Sequence, residues 1–171
     1  MNSLLDALAD RIDGLNRRIG RTIAWLALVM ALLAFAVVVL RYAFDLGWIG
    51  LQEAVLYLHA ALFMLGIPYV LQADGHVRID LIYRRLGDKG RAWVDLGGSL
   101  LLLLPLAGFL LWSSWDYVAE SWRLKESSGE AGGLPWVYLL KSLIPLMALL
   151  LGLQGLSLAI RSLRRLRGES S

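Results

Sequence analysis

Gln52-Glu53, then Ala54 to Ala73 without one Asp, Glu, Lys or Arg, then Asp74-Gly75-His76-Val77-Arg78-Ile79-Asp80: this stretch decides the fold. At 1.5 Å per residue, the uncharged run makes a helix of about 30 Å, the thickness of a bilayer's hydrocarbon core. A carboxylate marks one end and a mixed-charge knot the other. The segment is expected to cross a membrane.

Three further windows lack Asp, Glu, Lys and Arg: Thr22 to Leu40, Leu96 to Trp115 and Ser142 to Ile160. Each exceeds the roughly 18 apolar residues that separate a spanning helix from a buried soluble one. The expected fold is therefore an all-α integral membrane protein with four transmembrane helices and short amphipathic interfacial helices. Its parts are an amphipathic N-terminal arm (1–21), a first span (22–42), a second (50–73), a loop with a surface helix (74–90), a third span (91–118), an outer loop (119–135), a fourth span (136–160) and a basic tail (161–171). The polar connections are too short for a separate soluble domain. The first window lacks a small-residue cleavage motif and reads as a retained signal anchor.

Charge gives the orientation. Thirteen basic residues fall in the arm (Arg11, Arg17, Arg18, Arg21), the 74–90 loop with its edge (Arg78, Arg84, Arg85, Lys89, Arg91) and the tail (Arg161, Arg164, Arg165, Arg167). The other side holds Arg41, Arg123 and Lys125, with Lys141 just inside the fourth span. The positive-inside bias places both termini in the cytoplasm. The net charge of +3 is then explained by headgroups at the helix ends, with Arg84, Arg85, Arg164 and Arg165 as candidate lipid contacts, and nucleic acid is not an expected partner. There is no cysteine, which excludes disulfides and thiolate chemistry.

In the arm, Leu5, Leu8, Ile12, Leu15 and Ile19 share one helical face and Asp6, Asp10, Asp13, Arg11, Arg17 and Arg18 occupy the rest. Such a helix either lies flat on the headgroups or becomes ordered only against a partner. In the second span, Gln52, Leu56, His59 and Phe63 form one stripe. His59 lies about 13 Å along the axis from Gly50, near mid-membrane. A deep ionisable residue is a functional candidate; the plainer reading is a neutral imidazole bonded to a neighbouring helix. Trp112, Trp115 and Trp122 gather where the third span leaves the membrane, as an aromatic belt or a docking surface for a periplasmic protein. Pro68 and Pro105 are expected to bend their helices.

Two histidines in separate contexts make no bis-imidazole haem site, and neither a phosphate loop, HExxH nor GxSxG is present. Catalytic residues, metal ligands and cofactors are not expected. Four helices with a single ionisable residue at depth also make a poor self-contained carrier. The residues describe an integral subunit working beside something larger.

Gln52-Glu53 opening the second span, Gly66, the run His76-Val77-Arg78-Ile79-Asp80, and Gly133-Leu134-Pro135 leading to Lys141 and Pro145 together resemble the small (Q-type) membrane subunit of tripartite ATP-independent periplasmic (TRAP) transporters, the dicarboxylate-type small permease family. The resemblance implies a large membrane subunit that carries the sodium and substrate sites and a periplasmic substrate-binding protein that delivers an organic anion. It implies a bacterial inner-membrane location, and for this chain the part of a fixed scaffold beside a domain that moves like an elevator. It also implies that Gln52, Glu53, His76, Arg78, Asp80, Pro135 and Lys141 serve structure or interfaces, against a solvated loop for His76, Arg78 and Asp80. Gln52 departs from the family's commoner Glu-Glu opening. The competing functions are a self-contained oligomeric transporter or channel and an accessory subunit of another membrane complex.

Overall fold

The computed structural model describes residues 2–73, 75, 83 and 86–168, and every described element is helical. Helix α1 runs from Asn2 to Phe44, α2 from Ile49 to Gln72, α3 from Asp88 to Leu124 and α4 from Val137 to Arg167. Each is long and apolar enough to cross a membrane. Helix α4 packs against all three others, and α1 also packs along α2.

The ends follow from backbone chemistry. Past α1, Asp45 takes the left-handed conformation (φ 54°) and Leu46 N–H closes back on Leu40 O at 2.9 Å; Asp tolerates this region better than most residues with a Cβ. At the end of α3, Lys125 is left-handed (φ 47°). There the Lys125 N–H meets Trp122 O at 3.3 Å and the Glu126 N–H meets Ser121 O at 3.0 Å, the paired bonds of a Schellman cap. Gly168 closes α4 at φ 75°.

Pro105 acts through its neighbours. Helix α3 widens into a π-type stretch over Ser99–Leu103, just before the ring that cannot donate to the preceding turn. This displaced turn sets Leu103 and Leu104 over Gly155 of α4, where an added Cβ would stand 3.0 Å from Leu103 Cδ2. Glycine at this point lets the Leu103 and Leu104 side chains seat close against α4.

The arm differs from expectation. Residues 2–44 form one unbroken helix of roughly 64 Å, so the arm continues the first span. Of the apolar stripe, Leu5, Leu8 and Leu15 are exposed, as a face toward acyl chains would be, while Ile12 is buried together with Ala9, Asp13 and Asn16. The reason lies opposite, where α4 presents Gln154, Ser157 and Ser162, all buried. Polar groups there need polar partners, whereas leucines are at home against acyl chains. The molecule is thus small and polar along its helix contacts and large and apolar outside, with Trp25, Leu32 and Phe35 each 60% exposed or more.

Helices α1 and α2 approach closely at Gly20, where a Cβ would lie 2.6 Å from Tyr69 Cβ. Gly20→Val should therefore destabilise the protein by about 1–3 kcal/mol through overpacking. Gly14→Ala, with nothing within 4 Å of the added carbon, should be neutral or stabilising. Thermal unfolding of the two variants in the same detergent checks the contrast.

Candidate functional site

Two polar clusters fasten α4, one at each end. At the end carrying both termini, the Asp13 carboxylate is the centre. Its Oδ1 accepts from Gln154 Nε2 at 3.0 Å and Ser157 Oγ at 2.7 Å, and its Oδ2 accepts from Arg161 Nε at 2.9 Å and Nη2 at 2.5 Å. Asn16 Nδ2 donates to Gln154 Oε1 at 2.7 Å. Arg161 also reaches Asp10 at 2.9 Å, and Arg164 pairs with Asp6. Asp6, Asp10 and Asp13 sit one helical turn apart, as do the residues that meet them on α4, so the two helices interlock along about three turns.

Helix α3 joins this cluster through Asp95, which accepts from the Tyr83 hydroxyl at 3.0 and 2.9 Å and lies 3.7 Å from the Arg165 guanidinium. The Arg91 guanidinium stands 5.7 Å from the Tyr83 ring centre and donates to the Tyr83 carbonyl at 3.3 Å. The basic tail is therefore committed first to acidic side chains of its own chain. Arg164 and Arg165, expected at lipid headgroups, have these protein partners, and Arg165 remains exposed enough to reach outward as well.

At the opposite end, Glu53, one turn into α2, holds the 125–136 connection. Its Oε1 accepts from the Ser128 hydroxyl and its Oε2 from the Leu134 N–H at 2.6 Å. The loop is shaped to reach it: Ser128 N–H bonds to Leu134 O at 3.0 Å, and a Cβ at Gly133 would stand 2.9 Å from Glu53 Oε1. The sequence Gly133-Leu134-Pro135 is thus a backbone donor flanked by a residue with no side chain and one that stiffens the approach to α4. Lys141, one turn into α4, bonds to Glu126 at 2.5 Å and lies 4.0 Å over the Tyr117 ring. Trp122 Nε1 donates to Ser142 Oγ at 2.7 Å, its ring meets Tyr138 at 4.7 Å, and Lys125 stands over both rings at 4.5 and 5.0 Å.

Of the residues singled out from the sequence, Glu53, Pro135, Lys141 and Trp122 belong to this second cluster. Gln52 is half-buried beside Glu53, and its side chain makes no hydrogen bond to the described residues. Trp112 and Trp115 are exposed, at 82% and 63%, on the outer half of α3. His59 is exposed too, stacked at 6.4 Å on Phe63, so the polar contact expected for it lies with none of the described residues. His76, Arg78, Asp80, Arg84 and Arg85 lie outside the described residues. Asp13, Asn16, Gln154 and Ser157 were not singled out. Their signal was available: three aspartates at turn spacing in one segment and Gln154, Ser157 and Arg161 at turn spacing in another.

The chemistry of both clusters is fastening. Removing Asp13 strands the buried Gln154 amide and Ser157 hydroxyl and takes the main partner from the half-exposed Arg161 guanidinium, and Asp13→Ala should cost about 1–3 kcal/mol for each buried group left unpaired. Asp13→Asn, which keeps the acceptor but loses the charge, should cost less; chemical unfolding in mixed micelles separates them. At the other end, the hydrogen bond from Lys141 holds the Glu126 carboxyl below the usual carboxylate range. A depressed acid stabilises the fold above its ordinary pKa and loses that contribution as the pH falls through the lowered value. Glu126→Gln should flatten that acidic limb of a melting-temperature profile.

Comparison with curated proteins gives no match, and comparison with solved structures gives none. The family model described as tripartite ATP-independent periplasmic transporters, DctQ component, matches residues 6–165. That range takes in both clusters, from Asp6 to Arg165, and all but the outermost residues of the four helices, so the chain belongs to the DctQ component family, the small membrane subunit of these transporters.

Proposed function

We propose that this chain is the fixed scaffold of a sodium-driven, binding-protein-dependent importer of an organic anion in a bacterial inner membrane, with sodium and solute held by the large subunit. The observation that carries this reading is the fastening of α4 at both ends, by the Asp13 cluster and by Glu53 with the 125–136 loop. A domain that slides through a bilayer needs a frame that does not follow it. Helices in lipid gain no hydrophobic drive from one another, so rigidity must come from close packing and from polar bonds. The two clusters supply the bonds, and Gly20 and Gly155 permit the packing.

The same placement of charge supports solute handling elsewhere. Acidic and basic side chains lie toward the helix ends, where they are spent on one another. On the outer face, Trp112, Trp115, the end of α3 from Glu120 and the loop as far as Glu130 are the surface we assign to the periplasmic binding protein. Trp side chains supply large contact area at modest entropy cost.

Reconstitution tests the reading. Liposomes containing this chain alone should take up no organic acid. Liposomes with the large subunit and the loaded binding protein should show sodium-dependent uptake that is lost when this chain is omitted. Asp13→Ala should lower the maximal rate and leave the half-saturating concentration of binding protein unchanged. Flux through the isolated chain would overturn the proposal in favour of an oligomeric carrier.

A further inference from the structure

Gln52, Leu56, His59, Phe63, Gly66 and Val70 follow one another along α2 at alternating steps of four and three residues. That is the 3.5-residue period with which one helix keeps a seam toward another. The chain's own packing leaves most of the stripe open: Leu56 is 63% exposed, Phe63 62%, and His59 and Val70 are exposed beside them. Around Gly66 the surface sinks into an apolar groove of about 380 Å³ between His59 and Val70.

Lipid alone does not explain this face. An acyl chain asks only for apolar surface, and α1 answers with Leu28, Leu32 and Phe35. Where α3 exposes a hydroxyl, at Ser113, it bonds back to Leu110 O at 3.4 Å and presents little polarity to lipid. On α2, the His59 imidazole, near mid-membrane, bonds to no described residue, and hydrocarbon offers nothing in exchange; the Gln52 amide, nearer the outer end, is likewise bonded to none of the described residues. The two lie seven residues apart, at the same position of successive heptads. A polar residue at such a position fixes the register of a helix pair.

We propose that this stripe is the seam for one transmembrane helix of the large subunit, bearing hydrogen-bonding side chains opposite Gln52 and His59 and a bulky apolar side chain in the groove over Gly66. The proposal rests on the scaffold reading above and adds the surface on which the scaffold holds its companion. It explains why the stripe is polar at two matching heptad positions, apolar between them and hollow at a glycine.

The test is site-specific photocrosslinking in the assembled complex, with benzoyl-phenylalanine in place of Phe63 on the seam or Phe35 on α1. Phe63 should crosslink to the large subunit and Phe35 should not. His59→Leu should reduce co-purified large subunit by roughly three- to tenfold, the scale of a hydrogen bond between membrane helices, and His59→Gln should restore it. Should the unmodified chain co-purify with the large subunit while the Phe63 probe captures only lipid or a second copy of this chain, the seam is wrong and the scaffold stands. Should the unmodified chain retain no large subunit, the scaffold reading falls and the seam with it.

Discussion

A single carboxylate, Asp13, receives an amide, a hydroxyl and a guanidinium from three positions of α4, and the arrangement of the other helices depends on it. In water, two helices with leucines to hide would find each other by hydrophobic burial. In lipid that drive disappears, and the relative position of helices is set by small residues that permit close approach and by polar groups with nowhere else to bond. Asp13 belongs to the second kind. Exposed ion pairs contribute about 0–1 kcal/mol; a buried, multiply bonded carboxylate is worth several times that to whatever would remove it.

The second cluster complements the first. Glu53 ties α2 to the loop entering α4, and Lys141 ties α4 to the loop leaving α3. Helix α4 is therefore fixed at both ends to neighbours that are far apart in the chain. Along α4 the buried positions mix small residues (Ala148, Gly155, Ala159) with Leu150, Leu151 and Ile160, and Ala107 is buried opposite on α3. Close approach in the middle and polar bonds at the ends leave α4 little freedom to slide.

Part of this was legible in the residues. The windows beginning at Thr22, Ala54, Leu96 and Ser142 each lie within one of the four helices, because a run of some twenty uncharged residues has few stable places to be. Glu53, Pro135 and Lys141 could be singled out, yet the bond from Leu134 N–H to Glu53 joins residues 81 apart in the chain, and no local pattern encodes that. The arm is the instructive case. Its stripe reads as a face for the acyl boundary, and Leu5, Leu8 and Leu15 are exposed as that requires. What the periodicity does not show is that Asp13 and Asn16 are buried beside Ala9 and Ile12, because their polar partners are supplied by α4.

The amino-acid sequence by itself determined that the chain is helical, that it crosses a membrane four times, and which end of each helix carries charge. Those properties follow from length, apolarity and the absence of water around the backbone, and each segment settles them alone. Tertiary structure decided which acid meets which base, which face of α1 is inside, and that α4 is the helix on which the others are fastened. These are relations between segments up to 158 residues apart. They depend on the geometry of two helices at once, which neither helix's own periodicity contains.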